Sequence, residues 1–250
     1  MGARKYLFLV VIILVTLIIT FHRALNLTTQ NLWPFSSSTN IAIVTFHGAR
    51  ADKSLKSKQE YASHWGYELL VGEPAYEDIS SAWPAISYLH SLTHRHPHIK
   101  WFWYLSPTAL IMNSTLTLES HILHNLTSPQ YRDRDLIVAW DCRTLNTASF
   151  LLRNSKWSRP FLELVLARQG ANTVGEVMER LYWENQLLGQ RYHFVPARTV
   201  CGLAADACDD GERYLYHEGD FVLDFPFCAE KCTAGSMLEG TKRQDVDHNT

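Results

Sequence analysis

Short apolar runs alternate with helix-period segments through the first half of this chain, and that alternation limits the fold more than any other feature. Residues 41–46 and 67–71 and the aromatic run 101–105 read as strands, and 136–140, 148–152 and 221–225 read as further strands. Residues 52–65 carry apolar Leu55, Tyr61, Ala62 and Trp65 at helical spacing and stop at Gly66. Residues 83–92, 116–126, 156–168 and 173–188 read as helices as well. Strand-helix-strand order predicts an α/β fold, a mostly parallel sheet flanked by helices, with ligands held beyond the C-terminal strand ends. No Gly-rich phosphate loop is present, which argues against a dinucleotide or ATP site. A net charge of -2 provides no basic field for nucleic acid.

Residues 6–21 form an apolar run interrupted only by Thr16 and Thr20, with Arg4 and Lys5 before it and His22 and Arg23 after it. Extended to 6–25, it reads as a transmembrane signal anchor with a cytoplasmic tail at 1–5, since the basic residues stay on the cytoplasmic side. A cleaved signal peptide and a buried core helix are the competing readings. Residues 26–40 read as a lumenal stem, 41–235 as the folded domain and 236–250 as a flexible tail. Sequons at Asn26, Asn113 and Asn125 agree with a lumenal chain. Cys201, Cys208, Cys228 and Cys232 cluster late and read as two disulfides of open pairing, or as a zinc site in a reducing compartment. Cys142 stands apart and reads as a buried free thiol.

Several blocks resemble one family in the same order along the chain. Trp101-Phe102-Trp103-Tyr104-Leu105-Ser106-Pro107-Thr108-Ala109-Leu110-Ile111-Met112-Asn113 is similar to a Trp-x-Leu-Asp-x-Asp-Ala-Leu-Ile-Met-Asn motif. Lys58-Gln59-Glu60-Tyr61-Ala62-Ser63-His64-Trp65-Gly66-Tyr67 resembles that family's first helix and its exit. Leu145-Asn146-Thr147-Ala148-Ser149-Phe150 through Trp157 resembles Leu-Asn-x-Gly-Ser-Phe-x-x-Arg-Asn-x-x-Trp. Gly219-Asp220-Phe221-Val222-Leu223-Asp224-Phe225, then Cys228, resembles a closing Gly-Asp-x-Val-x-His-Phe-x-Gly-Cys block. The family is glycosyltransferase family 34, the fungal galactosyl- and mannosyltransferases, and the resemblance is strongest to α-1,6-mannosyltransferase subunits of mannan synthesis.

The resemblance implies a GT-A-like fold in a Golgi type II membrane protein. It implies a retaining transferase with a GDP-mannose or UDP-galactose donor, Mn²⁺, and a glycan or glycoprotein acceptor. It also implies a possible hetero-complex with other mannosyltransferases. Carried over residue by residue, Thr45, His47, Trp83, Ser106 and Thr108 fall at donor-binding positions. Asp141, Asn146, Glu184, Asn185 and Gln186 fall at catalytic positions, and Asp224 falls at a metal-ligand position. Each has an ordinary alternative: loop residues for Thr45 and His47, core packing for Trp83, turn caps for Asp141 and Asn146, a solvated helix face for 184–186. The sequence departs from the motif where the chemistry is concentrated. Ser106 and Thr108 replace the two aspartates, Asp224 replaces the histidine, and Ala148 and Phe227 replace glycines. The chain between Arg168 and Val195 is also short against the pattern. A metal-free domain that is no longer catalytic, a subunit of a transferase complex, is therefore the alternative to an active enzyme. His94, His96 and His98 read as a solvated helix-to-strand loop, with metal binding as the second possibility.

Overall fold

A strand buried at every position has to lie inside a sheet that is covered on both faces. β1 (Ile41–Phe46) is such a strand. It pairs in parallel with β2 (Glu68–Gly72) on one side and β3 (Trp101–Leu105) on the other. The computed structural model describes residues 40–47, 52–73, 82–170, 172–204, 207–208 and 212–225, within the compact unit Thr39–Thr250. The main sheet has six strands in the order β2-β1-β3-β6-β5-β7, with β5 (Leu136–Val138), β6 (Ser149–Arg153) and β7 (Tyr192–Phe194) completing it. Only β6 runs against the rest: it is antiparallel to β3 and to β5, and β7 is parallel to β5. The mostly parallel sheet expected from the alternation is therefore present, with one reversed strand near its middle.

The two-residue period of the strands divides the apolar side chains between two cores. Ala42, Val44 and Phe46 face one side with Phe102, Tyr104, Leu136 and Phe150. That side is covered by α2 (Trp83–Arg95), α4 (Ser158–Leu166) and α5 (Val174–Glu184). Ile41, Ile43, Trp101, Trp103 and Leu105 face the other, under α1 (Asp52–Trp65). There Phe221 stacks on Trp103 at 5.1 Å between ring centroids, and the indole N–H of Trp103 donates to Ser149 Oγ at 3.0 Å. Burying an aromatic ring of that size while its polar atom stays satisfied is worth roughly 2–3 kcal/mol.

Local chemistry explains most boundaries. α1 stops at Gly66, whose φ of 72° is the left-handed conformation glycine adopts without a steric cost, and Tyr67 N–H closes the turn on Ala62 O at 2.9 Å. Two expected helices are broken. The 116–126 segment begins as α3 (Leu118–His121), capped by Thr117, and continues as 3₁₀ turns over Leu123–Thr127 and Pro129–Tyr131. Leu118, Ile122 and Leu126 are still buried, so the apolar period was right and the hydrogen-bond pattern was not. The 173–188 helix splits because extended Asn185 ends α5 and its side chain caps α6 (Gln186–Gly189), accepting from Leu188 N–H at 3.2 Å. A second sheet, β4 (Leu110–Ile111), β9 (Val222–Asp224) and β8 (Gly202–Leu203), was not foreseen beyond the late strand. Its β8 follows α7 (Ala197–Val200). No helix among the described residues is long and apolar enough to cross a membrane. The proposed anchor, the stem with Asn26, and the tail lie outside the described residues.

Candidate functional site

β1, β2, β3 and β5 all point the same way, so the segments that follow them gather at one edge of the sheet. The turn after β3 is held by several hydrogen bonds. Ser106 N–H donates to Ala148 O at 2.7 Å, and Ala109 N–H returns to Ser106 O at 3.1 Å. The Ser106 and Thr108 hydroxyls each donate to the same oxygen of Asp224, Oδ1, at 2.7 Å, and lie 3.0 Å from each other. Asp224 comes from β9, 116 residues after Thr108. Three residues at the expected metal positions therefore do converge, and they close on one another.

Lys58 lies beneath this turn with no exposed surface. Its ammonium donates to Ser54 Oγ at 2.5 Å and to Ser106 O at 2.8 Å, and Ser54 Oγ donates to Ala109 O at 2.7 Å. Burial pulls the Lys58 ammonium down to about 7, against the attraction of Asp224. Burial likewise pushes the Asp224 carboxyl upward, opposed by the hydrogen bonds from Ser106 and Thr108 and by the Lys58 charge. Ser54 and Lys58 are the functional residues that the motif reading missed. A signal was present: positions 54, 58, 61, 62 and 65 fall on one helical face, and Tyr61 and Ala62 mark it as the inner one.

The other expected site residues separate into groups. Asn146 shares the edge and is buried, with Oδ1 accepting from Ala148 N–H at 2.8 Å. Its Nδ2 and the Oγ1 of fully buried Thr45 find no partner among the described residues. Asp141 caps its own turn: Oδ1 accepts from Arg143 N–H at 2.7 Å and Thr144 N–H at 2.9 Å. His47 is exposed just past β1, with its N–H on Gly72 O at 3.3 Å. Trp83 opens α2 and is buried in the core, which favours the packing role. Glu184, Asn185 and Gln186 are exposed at the α5–α6 junction. No hydrogen bond among the described residues ties them to the Ser106–Asp224 cluster. Asn113 is committed to Gly219 O and to Thr115, and the side chain of Asn125 lies outside the described residues.

The cysteine assignment is corrected. Cys142, expected as a free thiol, is bonded to Cys208, with Cα atoms 6.0 Å apart. Cys201, expected in a bridge, is a buried free thiol that burial pushes well above its ordinary range. The reason is placement: Cys201 follows α7 inside the core, whereas Cys142 sits on the exposed turn after Asp141, where half-buried Cys208 reaches it. Cys228 and Cys232 lie outside the described residues.

Comparison with known proteins bears on the same blocks. The family model described as galactosyl transferase GMA12/MNN10 matches residues 45–133 and 125–234. The chain belongs to this family. Among curated relatives, the probable alpha-1,6-mannosyltransferase MNN10 of Saccharomyces cerevisiae is 25% identical over 70% of this chain and 54% of that protein. The uncharacterized alpha-1,2-galactosyltransferase C637.06 of Schizosaccharomyces pombe is 24% identical over 70% of this chain and 62% of its own length. The chain thus spans less than two thirds of the length of these relatives. A glycosyltransferase involved in the glycosylation of the major capsid of PBCV-1 superposes with a TM-score of 0.60 at 16% identity, covering 82% of this chain and 98% of that one, which shows the shared α/β fold. Family membership makes the divalent cation a concrete question. Such a cation takes about six oxygen ligands, with carboxylates providing the charge. The Ser106–Thr108 turn offers one carboxylate, and two hydroxyl protons already occupy its Oδ1.

Proposed function

We propose that this chain is a hexosyltransferase domain of glycosylation, moving mannose or galactose from a GDP or UDP donor to a glycan or glycoprotein, and doing so without Mn²⁺ at the Ser106–Thr108 turn. The observation that carries it is the convergence of Ser106, Thr108 and Asp224 at the C-terminal edge of the sheet. Ligands bind at that edge in sheets of this kind. The donors present do not fit a divalent cation. The cluster has a single carboxylate, and the Lys58 amine beneath the turn offsets part of its charge, which leaves little to attract one. With family chemistry in place, a bound donor would rest on the neutral hydroxyls and on Asn146. Asp141 would offer its second oxygen, Oδ2, to a sugar hydroxyl, since Oδ1 is used by the turn. A lumenal Golgi location with an N-terminal anchor is part of this reading, supported by the apolar run at 6–25 and by a disulfide that persists in oxidising compartments.

The replaced aspartates favour a second reading, in which the domain has lost transfer and serves as a subunit alongside other mannosyltransferases. One set of measurements separates the two. The full chain is titrated with GDP and UDP, with Mn²⁺ and with EDTA, and sugar transfer from GDP-mannose and UDP-galactose is assayed in both conditions. Turnover that survives EDTA supports the proposal. Turnover only with Mn²⁺ overturns its metal-free part. Absence of both binding and turnover leaves the non-catalytic reading.

A further inference from the structure

At the opposite edge of the sheet, two histidines and a glutamate meet. Glu68 opens β2, and His96 and His98 flank Pro97 in the loop between α2 and β3. His96 Nδ1 lies 3.1 Å from one carboxylate oxygen of Glu68, and His98 Nε2 lies 3.0 Å from the other. Each of the three residues offers one ligand atom, and these atoms all lie within 4.8 Å of one another. From this convergence we infer that Glu68, His96 and His98 form a binding site for a zinc-class divalent cation.

The donor chemistry selects the ion. Two imidazoles and one carboxylate are the borderline ligands that Zn²⁺ takes, with bonds of about 2.0–2.2 Å and a tetrahedral shell. In such a shell neighbouring ligand atoms sit about 3.3 Å apart, and the two Glu68–His gaps already have nearly that value. Hard cations such as Mg²⁺ or Ca²⁺ need a larger set of oxygen ligands than this cluster has. His98 is largely exposed, so water completes the fourth position.

The backbones that carry the ligands are fixed without help from a metal. His96 caps α2, with its N–H on Leu92 O at 2.9 Å. Its carbonyl accepts from Ile99 N–H at 3.2 Å and from Asn154 Nδ2 at 3.1 Å. Glu68 is held in register with Ala42 of β1. Binding therefore asks only for side-chain adjustment, which keeps its entropic cost low. The cation would bridge edge strand β2 to the loop that feeds β3, clamping the two neighbours of β1 at their N-terminal ends. β3 alone, with five residues, separates this cluster from the Ser106 turn by about 16 Å. The site is thus structural and independent of sugar transfer.

The test is calorimetric titration of the metal-stripped full chain with ZnCl₂. The expected result is one Zn²⁺ per chain with a Kd of about 1 µM or tighter, a rise in Tm on binding, and no displacement by Mn²⁺. Glu68→Gln and His98→Ala are each expected to weaken binding by at least about 10-fold. His94→Ala, on the same helix end but outside the cluster, is expected to leave it unchanged. Co²⁺ in place of Zn²⁺ should give a tetrahedral spectrum with no thiolate charge-transfer band. Binding weaker than about 100 µM, indifference to Glu68→Gln and His98→Ala, or a thiolate band pointing to a cysteine would each overturn the assignment. Because GDP and UDP binding are read separately, failure here is distinct from failure of the transferase reading.

Discussion

Lys58 has an ammonium group on a side chain with no exposed surface, and its position in the sequence, among Lys53, Lys56 and Glu60, looks like an ordinary charged helix face. That is why the motif reading found Ser106, Thr108 and Asp224 but not the residue that balances them: which way a hydroxyl donates and which charge lies underneath are tertiary facts. Lys58 donates to Ser54 Oγ and Ser106 O, and Asp224 accepts from Ser106 and Thr108, so removing either side chain leaves buried polar partners unsatisfied, at a cost of about 1–3 kcal/mol. Lys58→Met and Asp224→Asn should each destabilise the protein by that order in urea denaturation, and the double variant should lose much less than the sum. The pH dependence has a definite sign. The folded value for Lys58, about 7, lies below the ordinary 10.5, so the unfolded chain binds more protons between those values. The Lys58 contribution to stability therefore rises with pH across that window, and its cost is complete below about pH 7. Subtracting the Lys58→Met profile from the wild-type profile between pH 7 and 9 should reveal this rise; a flat difference would show that Lys58 is not desolvated as described. Restoring acids tests the metal argument from the other direction. Ser106→Asp with Thr108→Asp puts two more carboxylates against buried Asp224, so Tm should fall in EDTA and recover on adding Mn²⁺, whereas the wild-type Tm should not respond to Mn²⁺.

At the scale of elements, the packing of α5 decides where Asp141 sits. A Cβ on Gly175 would lie 2.5 Å from Leu145 O and 2.7 Å from Thr144 Cγ2, so glycine here allows the helix to approach the 141–145 turn closely. Thr144 Oγ1 then reaches Glu179 Oε2 at 2.8 Å. Gly175→Ala gains about 1 kcal/mol of helix propensity, yet the clash is with a backbone carbonyl that cannot rotate away. The net effect should be a loss of roughly 1–3 kcal/mol, read as a lower urea midpoint. The Cys142–Cys208 bond fixes the same turn from its other end, across 66 residues of sequence. Cys142→Ser should cost about 2–4 kcal/mol, and reductant should bring the wild type to the same stability, with Cys201→Ser leaving that response intact. Neither contact is visible in the sequence. The strands were legible because β3 is apolar throughout and β1 at every position but Thr45, and α1 because Gly66 marks its end. The break at Asn185 was not, since it depends on a side chain preferring a backbone N–H over continuation of the helix, and neither was the switch to 3₁₀ turns after His121. The cysteine pairing failed for a related reason: clustering in sequence says nothing about which sulfur faces the core.

Across the whole molecule, chemistry divides between the two edges of one sheet. The hydroxyl-carboxylate-ammonium cluster lies beyond the C-terminal end of β3, and the Glu68–His96–His98 cluster lies before its N-terminal end. Two separate cores, one on each face, hold the edges apart. A domain of this design works in a compartment that its surface chemistry can withstand. In the proposed reading, the Cys142–Cys208 disulfide and the three sequons suit an oxidising lumen, and the apolar run at 6–25 would supply a route there. The sequons are not equivalent. Asn113 donates its amide to Gly219 O, and its carbonyl oxygen accepts from the Thr115 hydroxyl and backbone, so a glycan there displaces the bond to Gly219. Asn26 belongs to the stretch read as a stem, ahead of the first strand. Expression in a eukaryotic secretory host should therefore give a glycosidase-sensitive mass shift that Asn26→Gln reduces and Asn113→Gln leaves unchanged. The described domain should also resist protease added outside sealed microsomes, and become sensitive once detergent opens them. A chain with no glycan, digested equally with and without detergent, would place the domain on the cytosolic side and remove the compartment argument, while leaving the sheet, its two edges and the family membership as they are.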